Sequence, residues 1–188
     1  GLLPGSREQE IRMLLPVMLK AAILIKQNRP DIKFILPVPD TVSMDIVKEY
    51  VEKFDVFVHI IKNAAWQCMA ASDVLIVASG TAAMESAIIG TPMVVVYKTS
   101  FITYHLAKML IDIPYVAWPN ILMGEEIVPE LLQERLDPLV ISRLIIDILD
   151  DSKMYFKIQE KLSEVKSKLG STGALMRTAE LVLEVACI

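Results

Sequence analysis

Cysteine is almost missing from this sequence: Cys68 and Cys187 are the only two in 188 residues. Two thiols cannot make a disulfide framework, and no metal-ligand spacing surrounds either of them. They read as core filler in a reducing compartment. Histidine is equally scarce, with His59 in an apolar run and His105 in a helical one. Both read as structural, and no His/Cys/carboxylate cluster suggests a metal. Excess positive charge is missing too: Lys and Arg number 19 against 23 Asp and Glu, for a net charge of −4. That balance argues against nucleic acid as a partner. The uncharged runs Asn63–Ser72, Val74–Met84, Ser86–Tyr97 and Ile113–Gly124 all fall short of the ~18–20 residues of a membrane span. No signal peptide is present and no initiator Met. The chain opens as GLLPGSR, in what reads as the end of a strand, so it is expected to be a fragment whose first strand is truncated.

Two nucleotide fingerprints are absent as well. No G-x-G-x-x-G is present, which leaves a dinucleotide site poorly supported, and no G-x-x-x-x-G-K-[ST], which excludes a P-loop. Cofactor chemistry therefore has no carrier in the pattern.

What the chain does have is apolar content, 54%, above the ~45–50% of ordinary soluble chains. Strands buried on both faces explain it. Short apolar runs alternate with amphipathic stretches. Strands are predicted at 1–4, 32–38, 56–61, 74–78 and 93–97. Helices are predicted at 8–27 (with Pro16 inside), 43–54, 64–71 and 81–89, the last closed by Gly90. Alternation of this kind predicts an α/β fold with a doubly wound parallel sheet. After Tyr97 the pattern predicts a helix over 102–111, a short extended piece at 115–118 and a Pro-Asn turn. From Asp137 it is nearly all helix: 138–149, 152–169 and 172–186. The expected division is a domain over 1–135 and a helical segment over 136–188.

Two strand-to-helix turns carry candidate chemistry. Gly5-Ser6-Arg7 follows the first strand. Such a bend aims backbone N–H groups and the positive helix end at one point, and Arg7 adds a fork suited to phosphate. The plainer reading is an ordinary turn whose Arg7 pairs with Glu10. Ser79-Gly80-Thr81 follows the fourth strand and suits a pyrophosphate pressed onto a helix N-terminus. Glu85 lies on the same helix face as Thr81, where a carboxylate could accept from a ribose diol; otherwise it is a solvated surface residue. Both turns lie at carboxyl ends of parallel strands, where open α/β sheets bind ligands. Asn120, between apolar neighbours, is either a turn residue or a sugar contact.

Three segments carry a family resemblance: LLPGSREQEI at 2–11, ASDVLIVASGTAAMESAIIGTPMVVVYK at 71–98, and FITYHLAKMLIDIPYVAWPNILMGEEIVPELLQE at 101–134. Together they resemble the lipid A disaccharide synthases. The middle segment would suit related sugar transferases; Pro119-Asn120-Ile121-Leu122 with Val128-Pro129-Glu130-Leu131-Leu132 is far more particular. The resemblance implies a GT-B architecture of two Rossmann-like domains, of which this chain is the C-terminal, UDP-sugar-binding one. It implies transfer from UDP-2,3-diacylglucosamine to 2,3-diacylglucosamine 1-phosphate, with inversion and without a metal, by a peripheral protein on the cytoplasmic face of the inner membrane. The acceptor site and general base are then expected in an N-terminal domain outside this chain. Carried over by motif, Ser6, Arg7, Ser79, Gly80 and Thr81 look like diphosphate contacts, Glu85 a ribose contact, and Asn120 the Asn of the family's Pro-Asn segment. Lys62–Gln67 departs from what that loop should hold, which leaves the uracil contacts open. Lys98 is either a phosphate contact or surface. The apolar residues of 101–111 either meet acyl chains or pack on the core, and the terminal helices could exchange between subunits of a homo-oligomer. Rival readings are another enzyme of UDP-N-acetylglucosamine (a muramyl transferase or a 2-epimerase) and a non-catalytic nucleotide-binding module.

Overall fold

A computed structural model describes residues 1–99, 114–170 and 173–186. The expected helix over 102–111 lies outside them, as does Cys187.

The first strand, β1 (Leu2–Leu3), is followed by α1 (Glu8–Asn28), β2 (Phe34–Val38), α2 (Met44–Glu52), β3 (Val58–Lys62), α3 (Ala65–Ala71), β4 (Leu75–Ala78), α4 (Thr81–Ile89) and β5 (Met93–Tyr97). These match the sequence periodicity to within a few residues at each end. Among the described residues every pairing is parallel, in the ladders β1-β4-β5-β6 and β2-β3. Strand β6 (Glu130–Leu132) was not expected. Strand β1 lies beside β2, so the strands run spatially 3-2-1-4-5-6, the order of doubly wound nucleotide-binding sheets. The ladder is interrupted between β1 and β2. Strand β1 offers only two residues before Pro4, and Pro37 inside β2 has no N–H to give.

Strands β4 and β5 are buried at successive residues, Leu75 to Ala78 and Met93 to Val96. Both faces of the sheet are therefore covered, which accounts for the apolar excess. Helix α1 buries Ile11, Leu14, Leu15, Met18, Leu19, Ala22 and Ile25, a stripe at helical spacing. It stays helical through Pro16.

Past Tyr97 the reading changes. Ala117 is extended, as expected, but instead of a Pro-Asn turn residues Trp118–Met123 form helix α5, with Pro119 in its first turn and Gly124 closing it in the left-handed region. Proline in a first turn starts a helix as readily as it ends one, because its missing N–H is not needed there. Helices α6 (Pro138–Asp150) and α7 (Ser152–Lys168) follow. They belong to the same core as the sheet: α6 packs on α1 and α7 on α4, with Ile141, Ile145, Ile148, Leu162 and Val165 buried. Helix α8 (Ala174–Ala186) has no buried residue.

Helix α4 has glycine at both ends. Gly90, its C-cap, sits at φ 91°, and a Cβ there would meet nothing within 4 Å. Only the backbone conformation opposes a side chain, so Gly90→Ala is expected to lower stability by about 1 kcal/mol. A urea midpoint unchanged from that of the parent chain would contradict this.

Candidate functional site

Because β1 and β4 are adjacent and parallel, the bends that follow them emerge side by side. They line one cleft of about 460 Å³, with Gly5, Ser6, Arg7 and Glu10 on one wall and Ser79, Gly80, Thr81, Ala82 and Glu85 on the other. Pro37 and Pro39 from the end of β2, and Ala65 and Met69 of α3, complete it. The neighbouring loop is tied in: Thr41 Oγ1 donates to the Ser6 carbonyl at 2.8 Å, and Asn63 Nδ2 donates to Asp40 at 2.6 Å.

The two bends differ in how their donors are used. At the first, Glu10 reaches back over the start of α1. Its Oε2 accepts from the Ser6 amide at 2.9 Å and the Arg7 amide at 3.2 Å, while Oε1 takes the Arg7 guanidinium at 3.0 Å. This is the glutamate half of a capping box: Glu10, three residues past the N-cap Arg7, accepts from the N-cap amide, while the guanidinium, which has no acceptor, cannot return the bond. The plainer sequence reading, Arg7 paired with Glu10, is thus what the structure holds. Gly5, at φ 115°, allows it: a Cβ there would fall 2.2 Å from Glu10 Oε2.

At the second bend no side chain caps α4. The Gly80, Thr81 and Ala82 amides have no acceptor among the described residues. Gly80 adopts φ 153°, ψ −157°, a region essentially reserved for glycine, and a Cβ there would meet no atom within 4 Å. The seat is open, N–H-lined and at the positive end of a helix, which suits an anion.

Ser79 is placed differently from the expectation that it donates to a phosphate. Its amide donates to Val96 O at 2.9 Å and its hydroxyl to Val116 O at 3.1 Å, so both donors are consumed inside the chain. Glu85 is half-buried on the cleft wall.

Asn120 is removed from the cleft altogether. It is fully buried. Its Nδ2 donates to Val128 O at 2.8 Å and Glu130 Oε1 at 2.7 Å, and its Oδ1 accepts from the Ile127 and Val128 amides at 2.9 and 3.0 Å. Every hydrogen-bonding site on the side chain is used, so the geometry makes it a positioning residue rather than a ligand contact. Glu130, which sequence reasoning passed over, is its partner. Its carboxylate also accepts from the Val116 and Ala117 amides at 2.8 and 2.9 Å. Glu130 thereby fixes the segment whose Val116 carbonyl anchors Ser79. Glu10 was passed over as a site residue too, although the sequence offers it as the partner of Arg7. Among the described residues no group of His, Cys, Asp or Glu could hold a metal ion, and no helix is long and apolar enough to cross a membrane.

A doubly wound parallel sheet with a cleft at the carboxyl ends of its strands is the Rossmann-like fold on which each half of a GT-B protein is built. Solved structures share it: a spinosyn rhamnosyltransferase, SpnG, matches with a TM-score of 0.61 at 15% identity over 95% of this chain and 44% of its own. A putative UDP-N-acetylglucosamine 2-epimerase from Listeria monocytogenes matches at 0.59, also at 15% identity, over 84% of this chain and 38% of its own. At such identity the likeness is one of fold. Sequence goes further: residues 1–185 match the lipid-A-disaccharide synthetase family, and the chain belongs to it. The lipid-A-disaccharide synthase of Syntrophus aciditrophicus is 40% identical over 97% of the chain, and that of Persephonella marina 38% over 99%. The chain spans about half the length of these relatives, 48% and 50%.

Proposed function

We propose that the chain is the donor-binding half of an inverting glycosyltransferase that joins UDP-2,3-diacylglucosamine to 2,3-diacylglucosamine 1-phosphate, giving a lipid A disaccharide phosphate and UDP. The observation that carries this reading is the uncapped N-terminus of α4, open to a cleft that Arg7 also lines. The leaving group of such a transfer is a nucleoside diphosphate. Amides already aimed at its developing charge stabilise departure without reorganising. Gly80 and Thr81 supply them, Arg7 supplies the countercharge, and Glu85 faces the ribose. The acceptor and the base that deprotonates its hydroxyl belong to the half of the enzyme that this chain does not span. Both sugars carry acyl chains, so the enzyme works peripherally at the cytoplasmic face of the inner membrane.

Calorimetric titration of the chain with UDP tests this. One saturable site is expected for UDP, with uridine, which lacks both phosphates, at least about tenfold weaker, since charge-assisted hydrogen bonds contribute about 1.5–3 kcal/mol each. No heat with UDP, from protein shown to be folded by circular dichroism, would sink the donor-site reading.

A further inference from the structure

We propose that the Glu10 carboxylate is the resident anion of the first bend and that donor binding displaces it, so that Glu10 sets the affinity of the cleft for a nucleoside diphosphate. This rests on the reading of the cleft as a UDP site. The Ser6 amide, the Arg7 amide and the Arg7 guanidinium all point at one carboxylate. These are the donors that a phosphate at this bend would use. One seat cannot hold two anions, so a phosphate that takes these donors must expel Glu10.

The carboxylate is free to leave. The Arg7 side chain is 80% exposed and that of Glu10 30%, so their ion pair is open to water and gains little there. Gly5 leaves room for the docked carboxylate, since any Cβ there would press on it. The two bends then have unequal tasks. The uncapped α4 end takes one phosphate outright, whereas the α1 end admits the other only in exchange for its own carboxylate. Arg7 passes from Glu10 to the incoming phosphate without losing an anionic partner. After the donor leaves, Glu10 returns and satisfies the same amides, so the empty site is not left with unpaired N–H groups.

Glu10→Gln separates the charge from the cap, because a glutamine at this position can still accept from the N-cap amide. It is expected to bind UDP about five- to tenfold more tightly than the parent chain, because a neutral amide competes for the Ser6 and Arg7 donors less strongly than a carboxylate does, with uridine binding unchanged. In parallel, the Ser6 and Arg7 amide resonances of the parent chain are expected to shift on UDP addition. Equal or weaker UDP binding by Glu10→Gln, or UDP binding that leaves those two amides unmoved, would overturn the proposal and leave Glu10 a helix cap alone. UDP binding by neither protein would instead overturn the donor-site reading, and this inference with it.

Discussion

Asn120→Ala is expected to lower the unfolding free energy by about 3–5 kcal/mol. The substitution orphans the Ile127 and Val128 amides, which both end on Oδ1, and takes a donor from Val128 O and from Glu130. All four sites are buried around a residue with no exposed surface. A buried polar group left unpaired costs about 1–3 kcal/mol, and the loss of four bonds at once is only partly relieved by relaxation or an entering water. Urea unfolding followed by circular dichroism measures it. A loss below about 1 kcal/mol would show that the 116–130 segment is held by packing instead. Cooperativity should survive, because the sheet core of α1, α6, β4 and β5 does not pass through Asn120. The same variant reaches the cleft indirectly: Glu130 holds the Val116 and Ala117 amides, and Val116 O holds Ser79.

Asn120 also marks where the sequence stops being readable. Strands β1 to β5 and helices α1 to α4 follow from period and punctuation, because each element's buried set recurs at the spacing of its own geometry: Leu75 to Ala78 as a continuous apolar run, Ile11 to Ile25 as a helical stripe. Helix α5 and strand β6 have no such signature. Six residues with Pro119 near the start look like a turn, and three residues with a carboxylate at their head do not look like a strand. Their structure is set by a hydrogen-bond network between residues eight to ten positions apart, and no periodicity encodes that.

The cleft was legible in outline. That residues 5–7 and 79–81 both lie at carboxyl ends of parallel strands follows from the alternation of strands and helices; that they are neighbours rests on the pairing of β1 with β4, which alternation does not fix. The assignment of donors within it was not. Ser79 looks like a phosphate ligand because its hydroxyl sits in the right bend, yet the direction of that hydroxyl depends on Val116, 37 residues away. Arg7 looks like a phosphate ligand because its guanidinium fits one, yet Glu10 competes for it three residues on. In both cases residue type identified the place, and a second residue decided whether the group was free.

Gly80→Ala is therefore the substitution expected to separate place from function most sharply. At φ 153°, ψ −157° an alanine is strained by about 1–3 kcal/mol, although its Cβ meets no protein atom. The chain should fold, with the strain either borne at the bend or relieved by its rotation. Rotation turns the Gly80 and Thr81 amides off the anion; strain borne in place puts a methyl group in the open space at the seat. Each outcome removes at least one charge-assisted hydrogen bond, worth about 1.5–3 kcal/mol, so UDP affinity is expected to fall about 10- to 100-fold. Gly90→Ala, at the other end of the same helix, is the control: a comparable backbone penalty with no consequence for UDP. If both variants lose affinity equally, the effect comes from helix stability and the open end of α4 is not the seat. If Gly80→Ala alone loses it, the diphosphate sits on the end of α4 that no side chain caps.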